Sequence, residues 1–148
     1  MQHWGTNILT AALVFVAARG FAAELHQSLY ERLGGMPAIQ AVVDDFAARI
    51  FADNRVNKWF AHTSGDPAAT AAYKAKLGDF VCQVTGGPCH YAGADMKEAH
   101  RGRGITSDAF NGVVEDLTAT LDKLHVAERD KADLLGMLAS IKPAVVEK

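Results

Sequence analysis

"MKEAHRGRGIT", residues 96–106, sets one histidine among a lysine, a glutamate and two arginines. Read by charge alone, the block is a solvated loop. Read by period, it is something else. Met96, Ala99 and His100 stand at i, i+3 and i+4, so they share one face of any helix drawn through the block. Lys97, Glu98 and Arg101 point away from that face. The spacing predicts a short helix whose only apolar stripe ends in a histidine, and that histidine must pack against something.

The flanks carry the same period. Upstream, Ile39, Val42, Val43, Phe46 and Ile50 keep helical spacing behind a Gly-Gly-Met-Pro break, with Pro37 suited to a first turn. A second run, about 67–85, holds Ala71, Leu77, Phe80, Val81 and Val84 and is stopped by Gly86-Gly87-Pro88. Downstream, Phe110, Val113, Val114, Leu117, Leu121 and Leu124 make the clearest stripe in the chain, with Thr106, Ser107 and Asp108 offering capping oxygens. A last run, about 127–141, groups Leu134, Leu135, Leu138 and Ile141 and is expected to end at Pro143. No alternating β pattern, repeat or low-complexity stretch interrupts this. The fold class is all-α. The stretches 63–69 and 86–95, rich in Gly, Pro and small polar residues, are expected to be loops that let helices separate and open room for a ligand.

Charge excludes one large class of partner. The net charge is −2 over 148 residues, with no basic run, so nucleic acid is not expected. The first residues differ from the rest. "ILTAALVFVAA", 8–18, is too short to span a bilayer as a helix, and Gly20 and Ala22 supply the small residues of a cleavage site. This reads as a signal peptide over 1–22 that exports a domain of residues 23–148 to the periplasm, with no stable membrane insertion after processing. No Lys or Arg precedes the apolar run, so two other readings stand beside it: an interfacial membrane anchor formed by 8–18, or a misassigned start. Cys82 and Cys89 flank the Gly-Gly-Pro turn. In an exported chain they form a disulfide; in a cytoplasmic one they are buried thiols. Neither a CxxC nor a CxxCH motif is present. Cys82, Cys89, His90 and His100 could ligate zinc, but a C-x6-C-H-x9-H spacing resembles no common zinc module.

Six blocks carry a resemblance. "LYERLGG" (29–35), "VDDF" (43–46), "RVNKWF" (55–60), "GG" (86–87), "MKEAHRG" (96–102) and "FNGVVEDLTATL" (110–121) together resemble the group I truncated haemoglobins, in that family's order and near its spacing. The resemblance spans about residues 28–141. It implies a 2-over-2 helical sandwich around a haem b that is not attached through a CxxCH motif. It places His100 as the proximal iron ligand, in agreement with the stripe: an axial imidazole leaves the opposite iron face for a gas. It also implies that Phe60 packs on the haem face, that Phe46 and Phe80 border the distal cavity, and that Tyr91 lies near a propionate. Met96, on the same face as His100, packs on the haem or the core.

The distal side departs from the pattern. Where many relatives have a tyrosine after the phenylalanine matching Phe46, this chain has Ala47, which has no donor. Tyr73 and Leu77 fall where the family often has polar residues, so Tyr73 could supply a hydroxyl from a different helix. Lys76 lies between them and has three readings: a propionate partner, a solvated side chain, or a neutral amine on iron. His62, in the preceding loop, is expected in solvent. About five extra residues in the 61–70 segment blur this register.

The function so implied is haem-based binding of a diatomic gas, oxygen or nitric oxide, by a monomer. An electron-donor protein as partner would open a nitric oxide dioxygenase-like role; sensing is the other use. The alternative is a six-coordinate electron-transfer or peroxide-handling haem protein with Lys76 or another side chain as distal ligand.

Overall fold

Ser28 and Glu31 start the first helix by capping each other. The Ser28 hydroxyl accepts from the Glu31 amide at 3.2 Å, and the Glu31 carboxylate accepts from the Ser28 amide at 2.8 Å. In this computed structural model, which describes residues 26–148, the helix is α1 (Leu29–Leu33). The signal-peptide reading of 1–22 and the anchor reading of 8–18 lie outside the described residues. Gly34, at φ +102°, turns the chain into α2 (Gly35–Ala52), with Pro37 in its first turn as expected.

A 3₁₀ turn (Asn57–Phe60), α3 (Ala61–Gly65) and α4 (Pro67–Val84) follow. After the 86–95 loop come α5 (Met96–His100), α6 (Ser107–Lys123) and α7 (Glu128–Val145). No strand occurs among the described residues, and none of their helices is long and apolar enough to cross a membrane. Helices α2 and α4 pair, α6 and α7 pair, and α2 crosses onto α6, which gives two helices packed on two. The predicted stripes are the core: Ile39, Val43, Phe46 and Ile50 from α2 are buried, as are Phe110 and Leu121 from α6.

Two expectations need correction. The 63–69 stretch is not an open loop. Residues 61–65 are helical, and only Asp66 breaks the run; its side chain accepts from the Ala68 amide at 2.9 Å and caps α4 at Pro67. Pro143 does not end the last helix either. It sits inside α7, which runs on to Val145, because buried Val145 packs with Ile105, Ala109 and Phe110. Tertiary packing outweighs one lost hydrogen bond in a final turn.

Cys82 and Cys89 are joined in a disulfide. The bridge removes both thiolates from any zinc site, and it ties the 86–95 loop to the buried end of α4. Closing so short a loop contributes about 2–3 kcal/mol through the unfolded chain. Gly87 is required there: a Cβ would lie 2.5 Å from the Tyr30 ring and 2.8 Å from the Cys82 carbonyl.

The α2–α6 contact carries a polar pin. The Asp45 carboxylate accepts from Arg49 Nε at 2.7 Å and from the Thr120 hydroxyl at 2.9 Å, and Lys123 also bonds it. Thr120 is fully buried. Lys123, then Arg49, holds the Asp45 carboxyl well below the usual carboxylate range. A depressed folded-state value adds stability that is complete at neutral pH and is lost as pH falls below that range. Asp45→Ala, which also strands the Thr120 hydroxyl, is expected to cost about 1–3 kcal/mol in urea unfolding at neutral pH. The penalty should shrink in acid. A variant with the wild-type urea midpoint would remove this role.

Candidate functional site

Helix α5 is five residues long, too short to be stable by itself, so its flanks must hold it. Asp95 caps its start, accepting from the Glu98 amide at 3.0 Å. Its body packs on α7. Met96, Ala99 and His100 are half-buried, whereas Lys97, Glu98 and Arg101 are exposed, and Arg101 pairs with Glu98 at 2.9 Å. The stripe read from the sequence is therefore the buried one.

His100 Nδ1 lies 2.6 Å from the Met96 carbonyl. A carbonyl can only accept, so Nδ1–H donates. That fixes the tautomer and leaves the Nε2 lone pair free to bind a metal. Met96 thus serves the site through its backbone oxygen.

A second group of predicted residues meets between α2, α4 and α6. Phe46 is buried with Ile50 and Val56, and Phe51, Phe60, Tyr73 and Leu77 pack around them. The Tyr73 ring stands edge-on to Phe60 at 5.3 Å between centroids and 6.0 Å from Phe51. Burial pushes the Tyr73 phenol well above its ordinary value, so its oxygen keeps its proton. Ala47 is fully buried and offers no donor.

Phe80 and Tyr91 form a separate edge-on pair at 5.3 Å. Tyr91 is locked to its own loop. Its amide donates to Gln83 Oε1 at 2.8 Å, and its hydroxyl donates to the Ala94 carbonyl at 2.9 Å. Gly93 permits this, since a Cβ there would lie 2.2 Å from the Tyr91 hydroxyl. Lys76 and His62 are exposed, and Lys76 makes no ion pair among the described residues. An apolar cavity of about 220 Å³, lined by Leu33, Val42, Val81 and Leu117 among others, includes none of the predicted site residues.

Sequence reasoning missed what holds the segment after His100. The Trp59 indole donates to the Arg103 carbonyl at 2.9 Å, and residues 147–148 pair with Ile105 and Ser107. The glycines of "GRG" were a visible signal of an unusual turn; their partners, more than forty residues away, were not.

The donor set suits haem: one imidazole with a free Nε2, and an apolar aromatic wall with a single protonated hydroxyl. The comparisons agree. The family model for bacterial-like globin matches residues 28–147. A group 1 truncated haemoglobin of Mycolicibacterium paratuberculosis is 34% identical over 118 residues, covering 80% of this chain and 83% of that protein. The crystal structure of the Tetrahymena pyriformis truncated haemoglobin, Fe(III) form, is 31% identical with a TM-score of 0.75, covering 82% of this chain and all of that one. The 2/2 haemoglobin of a Synechococcus strain, solved in the cyanomet state with covalently attached haem, is 32% identical with a TM-score of 0.70, covering 78% of this chain and 94% of that one.

Proposed function

The chain belongs to the bacterial-like globins, and among them to the group I truncated haemoglobins, haem proteins that bind diatomic gases; from that premise we propose that it holds haem b through His100 and binds oxygen or nitric oxide. The observation that carries this reading is the Nδ1 bond from His100 to the Met96 carbonyl, which leaves Nε2 as the nitrogen that would hold the iron. When bound, haem supplies reversible gas binding and, with oxygen and nitric oxide together, the oxidation of nitric oxide to nitrate.

The protein's own residues do the rest. His100 ligates. Phe46, Phe60 and Leu77 pack as an apolar wall that would keep water from a bound gas. Tyr73 holds a proton at its phenolic oxygen, ready to donate to a polar gas ligand in place of the hydroxyl that Ala47 lacks. A role in nitric oxide removal or sensing is the finer part of the proposal, supported by the Tyr73 donor; removal would need an electron-donor partner to return the iron to its ferrous form. Export to the periplasm is part of the proposal, and the disulfide supports it, because such bonds persist in oxidising compartments.

Haem added to the purified protein should give one equivalent of a pigment that turns five-coordinate on reduction and takes up one carbon monoxide. Intact mass of a periplasmic preparation should match a chain beginning at residue 23. A reduced spectrum already six-coordinate without added gas would sink the open-face reading.

A further inference from the structure

Helix α5 ends at His100, whose Nδ1 bond to Met96 sets the ring within the helix, but a single turn cannot by itself fix the angle at which its end is held. That angle depends on what the chain does next. Gly102 and Gly104 both adopt left-handed backbone, at φ +73° and +63°, and this turns their amides toward one point. The point is the Glu147 carboxylate. Gly102 N–H donates to Oε1 at 2.6 Å and Gly104 N–H donates to Oε2 at 2.6 Å. Each oxygen takes one amide, so the carboxylate spans the turn as a bidentate clip.

Four further bonds fix the clip to the rest of the fold. Glu147 and Lys148 amides donate to the Ile105 carbonyl at 2.9 and 3.3 Å. The Ser107 amide donates to the Lys148 carbonyl at 3.0 Å, where α6 begins. From the other side, the Trp59 indole holds the Arg103 carbonyl. Trp59 immediately precedes Phe60, so one 3₁₀ turn touches both the loop after His100 and the aromatic wall.

We infer that Glu147 is a positioning residue for the proximal histidine: its carboxylate clips the Gly102–Gly104 turn and so sets how α5 presents His100 to iron. The inference rests on His100 being the ligand. Charge-assisted bonds this short are stronger than neutral ones, and the two amides pull the Glu147 carboxyl below its ordinary range. A glutamine cannot replace it. It offers one oxygen, and its amide group would face a backbone N–H. An aspartate keeps both oxygens on a shorter stem.

The test compares Glu147→Gln, Glu147→Ala and Glu147→Asp in the haem-loaded full chain. Three quantities are read: transfer of haem to an excess of a tighter-binding apoglobin, the iron–histidine stretching band of the reduced protein, and amide exchange at Gly102 and Gly104 in the haem-free protein. Direct partners of a metal-ligating histidine typically control affinity by about 10–100-fold; Glu147 acts one step further out, so Glu147→Gln and Glu147→Ala should release haem faster by up to about tenfold. Their iron–histidine band should shift or broaden, and both glycine amides should exchange faster. Glu147→Asp should recover part of each change.

A role confined to anchoring the chain end would speed amide exchange while leaving the iron–histidine band and haem loss at wild-type values, and that result overturns the inference. Loss of the ligand signature in His100→Gly with silent Glu147 variants also overturns it, and leaves the assignment of His100 standing. An unchanged iron coordination in His100→Gly overturns the ligand assignment and this inference with it, even if the exchange data respond.

Discussion

His100→Gly is expected to strip the axial nitrogen from iron, and added imidazole is expected to put it back. The side chain is half-buried at the end of α5, and its Nδ1 is already committed to the Met96 carbonyl, so only Nε2 is free to bind. Glycine removes the ring without adding bulk, and a free imidazole can occupy the space it leaves. Because even outer partners of a ligating histidine are worth tenfold or more, losing the ligand itself should speed haem release by at least about tenfold. Resonance Raman of the reduced protein reads the result directly, since the iron–histidine band should vanish in the variant and return with imidazole. His62→Gly and His90→Gly serve as controls, both side chains being exposed. An iron–histidine band that survives His100→Gly would mean another residue holds the iron.

The stripe that carries His100 was legible in the sequence because it rests on local physics, whereas the ligand role came from the resemblance alone. A five-residue stripe obeys the period of a helix whatever surrounds it, and Met96, Ala99 and His100 emerge half-buried as their spacing required. The α6 stripe and its Thr106 cap were equally local; Thr106 accepts from the Ala109 amide at 3.1 Å. The Cys82–Cys89 bridge was legible only on the condition of export; the Gly-Gly-Pro turn between the two residues allowed it without deciding it.

What stayed hidden depends on distant partners. Pro143 reads as a helix stop until Val145 is seen packed beneath Ile105 and Phe110. Residues 63–69 read as loop because a short helix followed by Asp66-Pro67 has the composition of a turn. Nothing local marks Glu147 as the partner of two glycine amides. The distal side lies between these cases. Ala47 is a plain local departure, whereas the consequence for Tyr73 depends on two helices meeting.

That consequence gives the second large effect. Tyr73→Phe is expected to speed oxygen dissociation while changing carbon monoxide dissociation little. Among the residues lining this wall, Phe46, Phe51, Phe60 and Leu77 have no polar side-chain atom, so the Tyr73 hydroxyl is the donor within the cluster. Phenylalanine keeps the edge-on contact to Phe60 and the tilted contact to Phe51, which removes packing as a cause. A hydrogen bond to a charged or strongly polar partner in a dry site is worth about 1–3 kcal/mol, so its loss should raise the oxygen off-rate by roughly 10–100-fold. Carbon monoxide accepts hydrogen bonds poorly and acts as the internal control. Burial holds the phenol protonated well beyond its ordinary range, so the wild-type oxygen off-rate should stay flat through neutral and mildly alkaline pH. Off-rates in Tyr73→Phe within about twofold of wild type would rule this donor out, since a factor of two is under half a kcal/mol and too small for a hydrogen bond of that kind.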